Sequence, residues 1–352
     1  MLFLTIIAFI LILGILIFVH EFGHFISAKI CGVKVEEFGF GFPPKIFGVK
    51  RGETEYSLNW IPIGGFVKLL GEEEANKSTK SFNTQSIPKR VFIIIAGVLM
   101  NLVFAVFILS IGFMIGMSPI VSDAGRYGGN QETEIIIAGV TENSPAKSTG
   151  LGQGDIITGY KSIEDFQNFT KSNIGKDVSI NIKKDGNFKD INITLSSDEK
   201  APLGVALVQA TKVKLPFFQA IKAGFIETGL TVSAIFKFLY GFFRDLFSGQ
   251  KVAEQVSGPI GIFTITKQAV KLGFTYVLQF MALLSVNLAI MNILPFPALD
   301  GGKIIFLVGE GIRGKRFIKM EHENLIHWIG FTILIALIIL ITYNDIVRLI
   351  RG

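Results

Sequence analysis

Hydrophobic residues in this chain fall into long uncharged blocks separated by polar stretches. Met1 to Val19 carries no charge, and apolar character resumes after Glu21 as far as Ile30. Val91 to Ser118, Gly273 to Leu299 and Leu325 to Asn344 are likewise free of Asp, Glu, Lys and Arg. A helix needs about 20 mostly apolar residues to cross a bilayer. Four transmembrane helices are therefore expected, over 1–30, 91–118, 273–312 and 325–349. A cleaved signal peptide opens with a basic region and ends at a small-residue cleavage site. Met-Leu-Phe-Leu-Thr has no basic residue and the first block ends in His-Glu, so this span is expected to remain.

The polar stretches carry other patterns. Within 31–90, Glu55–Ile61 alternates polar and apolar residues as a strand does. Ile63–Leu69 reads as its partner after a Pro-Ile-Gly-Gly bend, and Gly39–Pro44 reads as a turn or loop. The acidic run Glu72, Glu73 and Glu74 opens a solvated loop. Between spans two and three, Glu134 to Val208 reads as an α+β unit within a domain over 119–212. Its elements are a strand (Glu134–Val140), a short helix (Ser144–Thr149), Asp155-Ile156-Ile157, a helix (Ile163–Ser172), a hairpin across Lys184-Asp185-Gly186-Asn187, and a last strand at Leu203–Leu207. Asp-Gly is a favoured hairpin dipeptide. Leu215–Phe247 has apolar residues at helical spacing, interrupted by Lys222, Glu227, Lys237, Arg244 and Asp245. An amphipathic helix on the outer membrane surface is expected within 213–272. Its longest uncharged run, Thr228–Phe236, is too short for a fifth span.

Composition agrees with the blocks. Half of the 352 residues are hydrophobic and 18% are charged, against about a quarter charged in soluble domains. The net charge of +6 invites a nucleic-acid reading, but its distribution argues for membrane topology instead. Lys34, Lys45, Lys50, Arg51, Lys68, Lys77, Lys80, Lys89 and Arg90 lie between spans one and two. Arg313, Lys315, Arg316 and Lys319 lie between spans three and four. Cytoplasmic loops near membrane ends are enriched in Lys and Arg. Both termini and the central domain are then extracytoplasmic. Cys31, the one cysteine, excludes an intrachain disulfide.

The chemistry begins at His20-Glu21-Phe22-Gly23-His24. On a helix, residues four apart share a face, so His20 and His24 can offer two nitrogens to one metal, with Glu21 beside them to take a proton from an attacking water. A charge inside a membrane helix costs at least ~2.5 kcal/mol at the centre and is functional by default. A catalytic zinc site takes three protein ligands. Asp300, after the uncharged block and beside Pro295 and Pro297, is the candidate third. Span three runs from outside to inside, which brings Asp300 to the cytoplasmic end with His20 and His24. Asn292 can bind a substrate backbone or a developing oxyanion, or bridge two helices. Asn101 is a second intramembrane amide that can contact substrate or pack between spans one and two. His322 and His327 read as interfacial and stand outside this site. Ligand type alone leaves divalent metals other than zinc possible.

These strings together resemble the site-2 protease family of intramembrane zinc metalloproteases, in its bacterial RseP-type branch. The resemblance runs through His20–His24, Gly39-Phe40-Gly41, Ile61–Lys68, Gly258-Pro259-Ile260-Gly261, Asn292–Gly301 and Thr342–Leu349. Asn143-Ser144-Pro145-Ala146 with Gly150–Ile157 resembles a bacterial PDZ domain, which grips a peptide at a sheet edge or only shields the site. The family implies Zn2+ held by His20, His24 and Asp300, Glu21 as base, and Asn292 gripping substrate. It also implies a membrane-dipping sheet over about Val33–Gly71 whose edge holds the unwinding substrate. The implied fold is a polytopic α-helical membrane protein with four transmembrane helices, a membrane-associated β segment and one inserted extracytoplasmic PDZ domain. The implied partners are membrane lipid and single-pass membrane proteins already trimmed by another protease, such as anti-sigma factors, and remnant signal peptides. The implied place is the bacterial cytoplasmic (inner) membrane, with the site near its cytoplasmic side. A catalytically silent PDZ scaffold would not need His20, Glu21, His24 and Asp300 together. A di-iron oxygenase would need more ligands than this chain's histidines supply.

Overall fold

The computed structural model describes residues 2–72, 74, 76–184, 186–198, 201–250, 256–314, 316 and 318–351. Glu73 of the acidic run, Asp185 at the hairpin tip and Lys315 of the basic loop lie outside the described residues. Among the described residues, five helices are long and apolar enough to cross a membrane. They are α1 (Leu2–Ile30), α2 (Ile87–Ile115), α5 (Phe217–Phe247), α7 (Phe274–Ile293) and α9 (Met320–Arg351). The chain is a multi-pass membrane protein. In α1, 29 residues at about 1.5 Å each exceed the ~30 Å apolar core of a bilayer. The expectation counts four such segments and lays Phe217–Phe247 on the surface; the structure makes it one continuous helix of 31 residues. The third expected span, 273–312, is two helices. Helix α7 ends at Ile293, and α8 (Asp300–Arg313) begins after the proline-containing turn Leu294–Leu299, because Pro295 and Pro297 cannot donate to a helix ladder.

The chain divides into two compact units. One comprises Ile108–Glu227 and Thr266–Phe280. It carries a five-stranded antiparallel sheet ordered β6-β5-β4-β3-β7. The strands are β3 (Asn130–Val140), β4 (Ile156–Ile157), β5 (Asp177–Lys184), β6 (Asn187–Thr194) and β7 (Val205–Lys214). Two short helices, α3 (Pro145–Ser148) and α4 (Ile163–Ser172), are capped by the hydroxyls of Ser144 and Ser162, which satisfy backbone donors that a helix start leaves open. Ile135, Ile137, Ile157, Phe166, Ile180 and Ile182 centre its core. Glu227 differs from its sequence reading as a charged interruption. It is buried, accepting from the backbone N–H of Val121 and Ser122 and from the hydroxyls of Ser122 and Tyr127. Burial and this carboxylate push the Tyr127 phenol up to about 12.

The other unit comprises Leu2–Phe107, Thr228–Ile265 and Met281–Gly352. Its sheet is built from β1 (Val35–Arg51) and β2 (Thr54–Leu69) alone. The two strands curl so that the start of β1 is paired on both flanks: Phe38 faces Val67 on one side and Tyr56 on the other, and Gly39 faces Phe66 and Ser57. Two sequence expectations are corrected here. Gly39–Pro44 lies within β1 rather than in a loop, and Ile63–Leu69 pairs with the start of β1 rather than with Glu55–Ile61. Glycines bend the strand: Gly41 has φ +80° and Gly64 has φ +108°, values that cost glycine little. Ala28, Val33, Val35, Leu69, Phe82 and Ile93 form the core between α1, the sheet and α2. Helix α6 (Pro259–Leu272) has its first turn in this unit, where the buried carboxylate of Asp345 accepts from the backbone N–H of Gly258 and Gly261, each at 2.9 Å.

Candidate metal centre

Helix α1 runs unbroken through His20 and His24, which places them one turn apart on one face. The rings are held by α2, which approaches unusually closely. A Cβ on Gly23 would stand 2.4 Å from the carbonyl oxygen of Ala96, and one on Gly97 would stand 2.4 Å from Nε2 of His24 and 2.9 Å from Cε1 of His20. Small residues let membrane helices meet at their backbones. Nδ1 of His24 donates to the carbonyl of Ile93 at 2.9 Å, which leaves Nε2 as a bare lone pair. His20 is oriented from the same helix. The amide of Asn101, fully buried, stands 3.3 Å from Nδ1 of His20, while its Oδ1 lacks a hydrogen-bond partner. Amide oxygen and nitrogen are assigned from the surrounding network. Turning this amide over lets the orphaned oxygen accept Nδ1–H and frees Nε2 of His20 in turn. The backbone carbonyl of Asn101 accepts from Ser285 Oγ at 2.8 Å, fixing α2 to α7.

Asp300 is the first residue of α8. Gly301 and Gly302 seat it: a Cβ at either position would lie 2.2 or 2.5 Å from the carbonyl oxygens of Leu294 and Phe296. The three atoms then converge. Nε2 of His20 and Nε2 of His24 are 3.2 Å apart, and Oδ2 of Asp300 lies 3.1 Å from the first and 3.4 Å from the second. Two ligands about 2.0–2.1 Å from a tetrahedral ion stand about 3.3–3.4 Å apart, so the triangle has the size of one face of a zinc tetrahedron. Oδ2 of Asp300 is buried without a hydrogen-bond partner. Such an orphan is costly unless a cation completes it. The residues fit zinc.

A cavity of about 340 Å³ opens at these atoms, lined among others by Glu21, Phe66, Val67, Asn292 and Lys303. Nδ2 of Asn292 is 3.4 Å from Nε2 of His20. Gly65 brings the β2 backbone to Glu21, since a Cβ there would stand 3.6 Å from Cγ of Glu21. Lys303, one turn after Asp300, pairs with Glu72 at 2.6 Å. The structure thus brings His20, Glu21, His24, Asp300 and Asn292 together. Asn101 stands behind His20, outside the cavity lining. His322 is exposed. Sequence reasoning did not single out Gly97 or Lys303; His327, read as interfacial, accepts at Nδ1 from the backbone N–H of Ala298 at 3.0 Å. Only the small-residue pairing of Gly23 with Gly97 has a sequence signal.

A comparison with known families matches residues 8–337 to the model described as Peptidase family M50. The chain belongs to peptidase family M50. This is the site-2 protease family, and the chain is a zinc metalloprotease. Relatives run its whole length. The zinc metalloprotease RasP of Shouchella clausii is 33% identical, covering 98% of this chain and 99% of that protein. A candidate zinc metalloprotease of Clostridium perfringens is 38% identical over 94% of this chain and 95% of its own. The regulator of sigma-W protease RasP of Bacillus subtilis is 29% identical over 98% and 99%.

Proposed function

We propose that this M50 protease cuts the membrane-spanning segments of single-pass proteins at a zinc held by His20, His24 and Asp300. The observation that carries the reading is the triangle of 3.1, 3.2 and 3.4 Å between the three donor atoms, set at the end of an apolar helix. Zinc, when bound, polarises the scissile carbonyl and lowers the pKa of water. Glu21 takes the proton of the attacking water and returns it to the leaving amine. Asn292, at the mouth of the triangle, steadies the substrate backbone or the oxyanion. Asn101 orients His20.

A helical substrate must unwind, because its carbonyls are engaged in the ladder. Phe66 and Val67 support a receiving edge, since they line the cavity on the outer ply of the sheet. An added strand recovers there the backbone hydrogen bonds that lipid cannot supply. The sigma-W regulator's name favours anti-sigma factors as one substrate type, already trimmed by another protease, with remnant signal peptides as a second. The basic loops favour the cytoplasmic membrane as the location, with both termini and the five-stranded unit outside, and four spans with Phe217–Phe247 lying at the interface. That unit acts as a PDZ domain.

The test compares wild-type and Glu21→Gln protein in detergent with a tagged single-span substrate. Cleavage by the wild type alone, mapped within the span and abolished by a chelator, is expected. Equal cleavage by both removes Glu21 from the mechanism.

A further inference from the structure

Two residues before Asp300 the backbone does something that its sequence does not favour. Ala298 has φ +78°, in the left-handed region that residues with a Cβ rarely enter. The cause is a tight turn. Leu299 N–H donates to the carbonyl of Phe296 at 3.1 Å, with Pro297 and Ala298 between them. Proline second and positive φ third are the marks of a type II turn, whose third position is normally glycine. Here it is alanine, and the turn sits immediately before the residue that must meet two histidines.

Helix α9 grips this turn from outside the site. The third residue of a type II turn leaves its N–H unused by the turn itself, and Nδ1 of His327 accepts that of Ala298 at 3.0 Å. One helical turn on, Gly330 meets Pro297 so closely that a Cβ would stand 2.4 Å from the proline Cβ and 2.5 Å from its carbonyl oxygen. His327 and Gly330, three apart on one helix face, therefore cover both central residues of the turn. Phe306 of α8 packs edge-on against the His327 ring with centroids 5.6 Å apart, fixing the ring from the other side. Since Nδ1 accepts, the imidazole proton sits on Nε2.

We propose that His327 is a positioning residue of the protease: its hydrogen bond to Ala298 holds the left-handed turn that aims Asp300 at the metal. The proposal rests on the reading of Asp300 as a ligand. It gives the last membrane helix, which supplies no ligand, a direct hold on the geometry of the third one. Partners that orient metal ligands typically cost about 10- to 100-fold in metal affinity or activity when removed, and His327 acts on the same scale through one intervening turn.

The test measures zinc retained after dialysis against a weak chelator, together with kcat and KM on a single-span substrate. His327→Leu is expected to lose zinc about 10- to 100-fold faster and to lower kcat while leaving KM near its wild-type value. His327→Gln, whose side-chain oxygen can accept the same N–H, should keep more of both. The deciding variant adds Ala298→Gly to His327→Leu. Glycine adopts positive φ freely, so the turn no longer needs its clamp, and zinc retention should recover. Undiminished zinc retention in His327→Leu, or no recovery on adding Ala298→Gly, overturns the proposal. Asp300→Ala separates the underlying reading: if that variant keeps its zinc, Asp300 is not a ligand, whatever His327 does.

Discussion

The backbone of Gly97 lies against the imidazole of His24, so closely that a Cβ added to Gly97 would stand 2.4 Å from Nε2. That nitrogen is one of the three converging donor atoms of His20, His24 and Asp300. The ring cannot swing away, because its other nitrogen is bonded to Ile93. Nor can α2 retreat freely, since Ala96 is already pressed on Gly23. Gly97→Ala is therefore expected to abolish stoichiometric zinc binding and cleavage, although alanine is the better helix former by about 1 kcal/mol. Metal analysis of the purified variant checks this, and full zinc content would show that the helices part more easily than the contacts imply.

Asn101 makes a sharper case, because its role depends on which end of the amide faces His20. An oxygen accepting Nδ1–H holds the ring with Nε2 free. Asn101→Leu should weaken zinc binding and activity by about 10- to 100-fold, whereas Asn101→Asp, which keeps an acceptor, should retain much of both. A competitive chelator titration reads the affinity. Equal behaviour of the two variants would mean that bulk alone matters at this position.

How much of this was legible beforehand follows from how local each feature is. His20, Glu21 and His24 share one helix face, so their partnership is visible within five residues. Asp300 lies 276 residues beyond His24, and it is reached from sequence only by taking an order and direction of the spans from the lysine-rich loops. The sheet was misread because its central ply, Glu37–Phe40, takes partners from both halves of β2, a pairing that short-range alternation cannot express. Glycine and proline in Gly39–Pro44 suggested a loop, yet there they bend a strand. Glu227 read only as a charged interruption of a helix, because nothing in sequence shows the donors from Val121, Ser122 and Tyr127 that surround it. Gly97 and His327 act only across helix interfaces.

Asp345 ties the end of α9 to the start of α6, joining two of the strings that carried the family resemblance. Its carboxylate satisfies two backbone donors, Gly258 and Gly261, at a helix start where negative charge is favoured. Asp345→Ala leaves the buried N–H of Gly258 without that acceptor, at about 1–3 kcal/mol, and the partly buried N–H of Gly261 at less. The expected result is a lower melting temperature in detergent with zinc content unchanged. Loss of zinc instead would extend the role of Asp345 to the metal site.

The last expectation concerns the helix that carries Asp300. Arg90, 4% exposed at the start of α2, meets Glu310 in the third turn of α8 through two bonds, at 2.5 and 3.1 Å. Glu310 is only partly buried, so stranding its charge costs less than the about 3–5 kcal/mol of a fully buried pair, whereas replacing both by apolar residues is often neutral. Arg90→Met alone should therefore lower the melting temperature and loosen α8, with zinc lost faster as Asp300 drifts. Arg90→Met combined with Glu310→Met should regain most of the stability. If the double variant is also stable but still loses zinc quickly, the pair serves to orient α8 rather than to hold the fold. If it recovers both, neutrality at this contact suffices and the packing of α8 against α2 does the aiming.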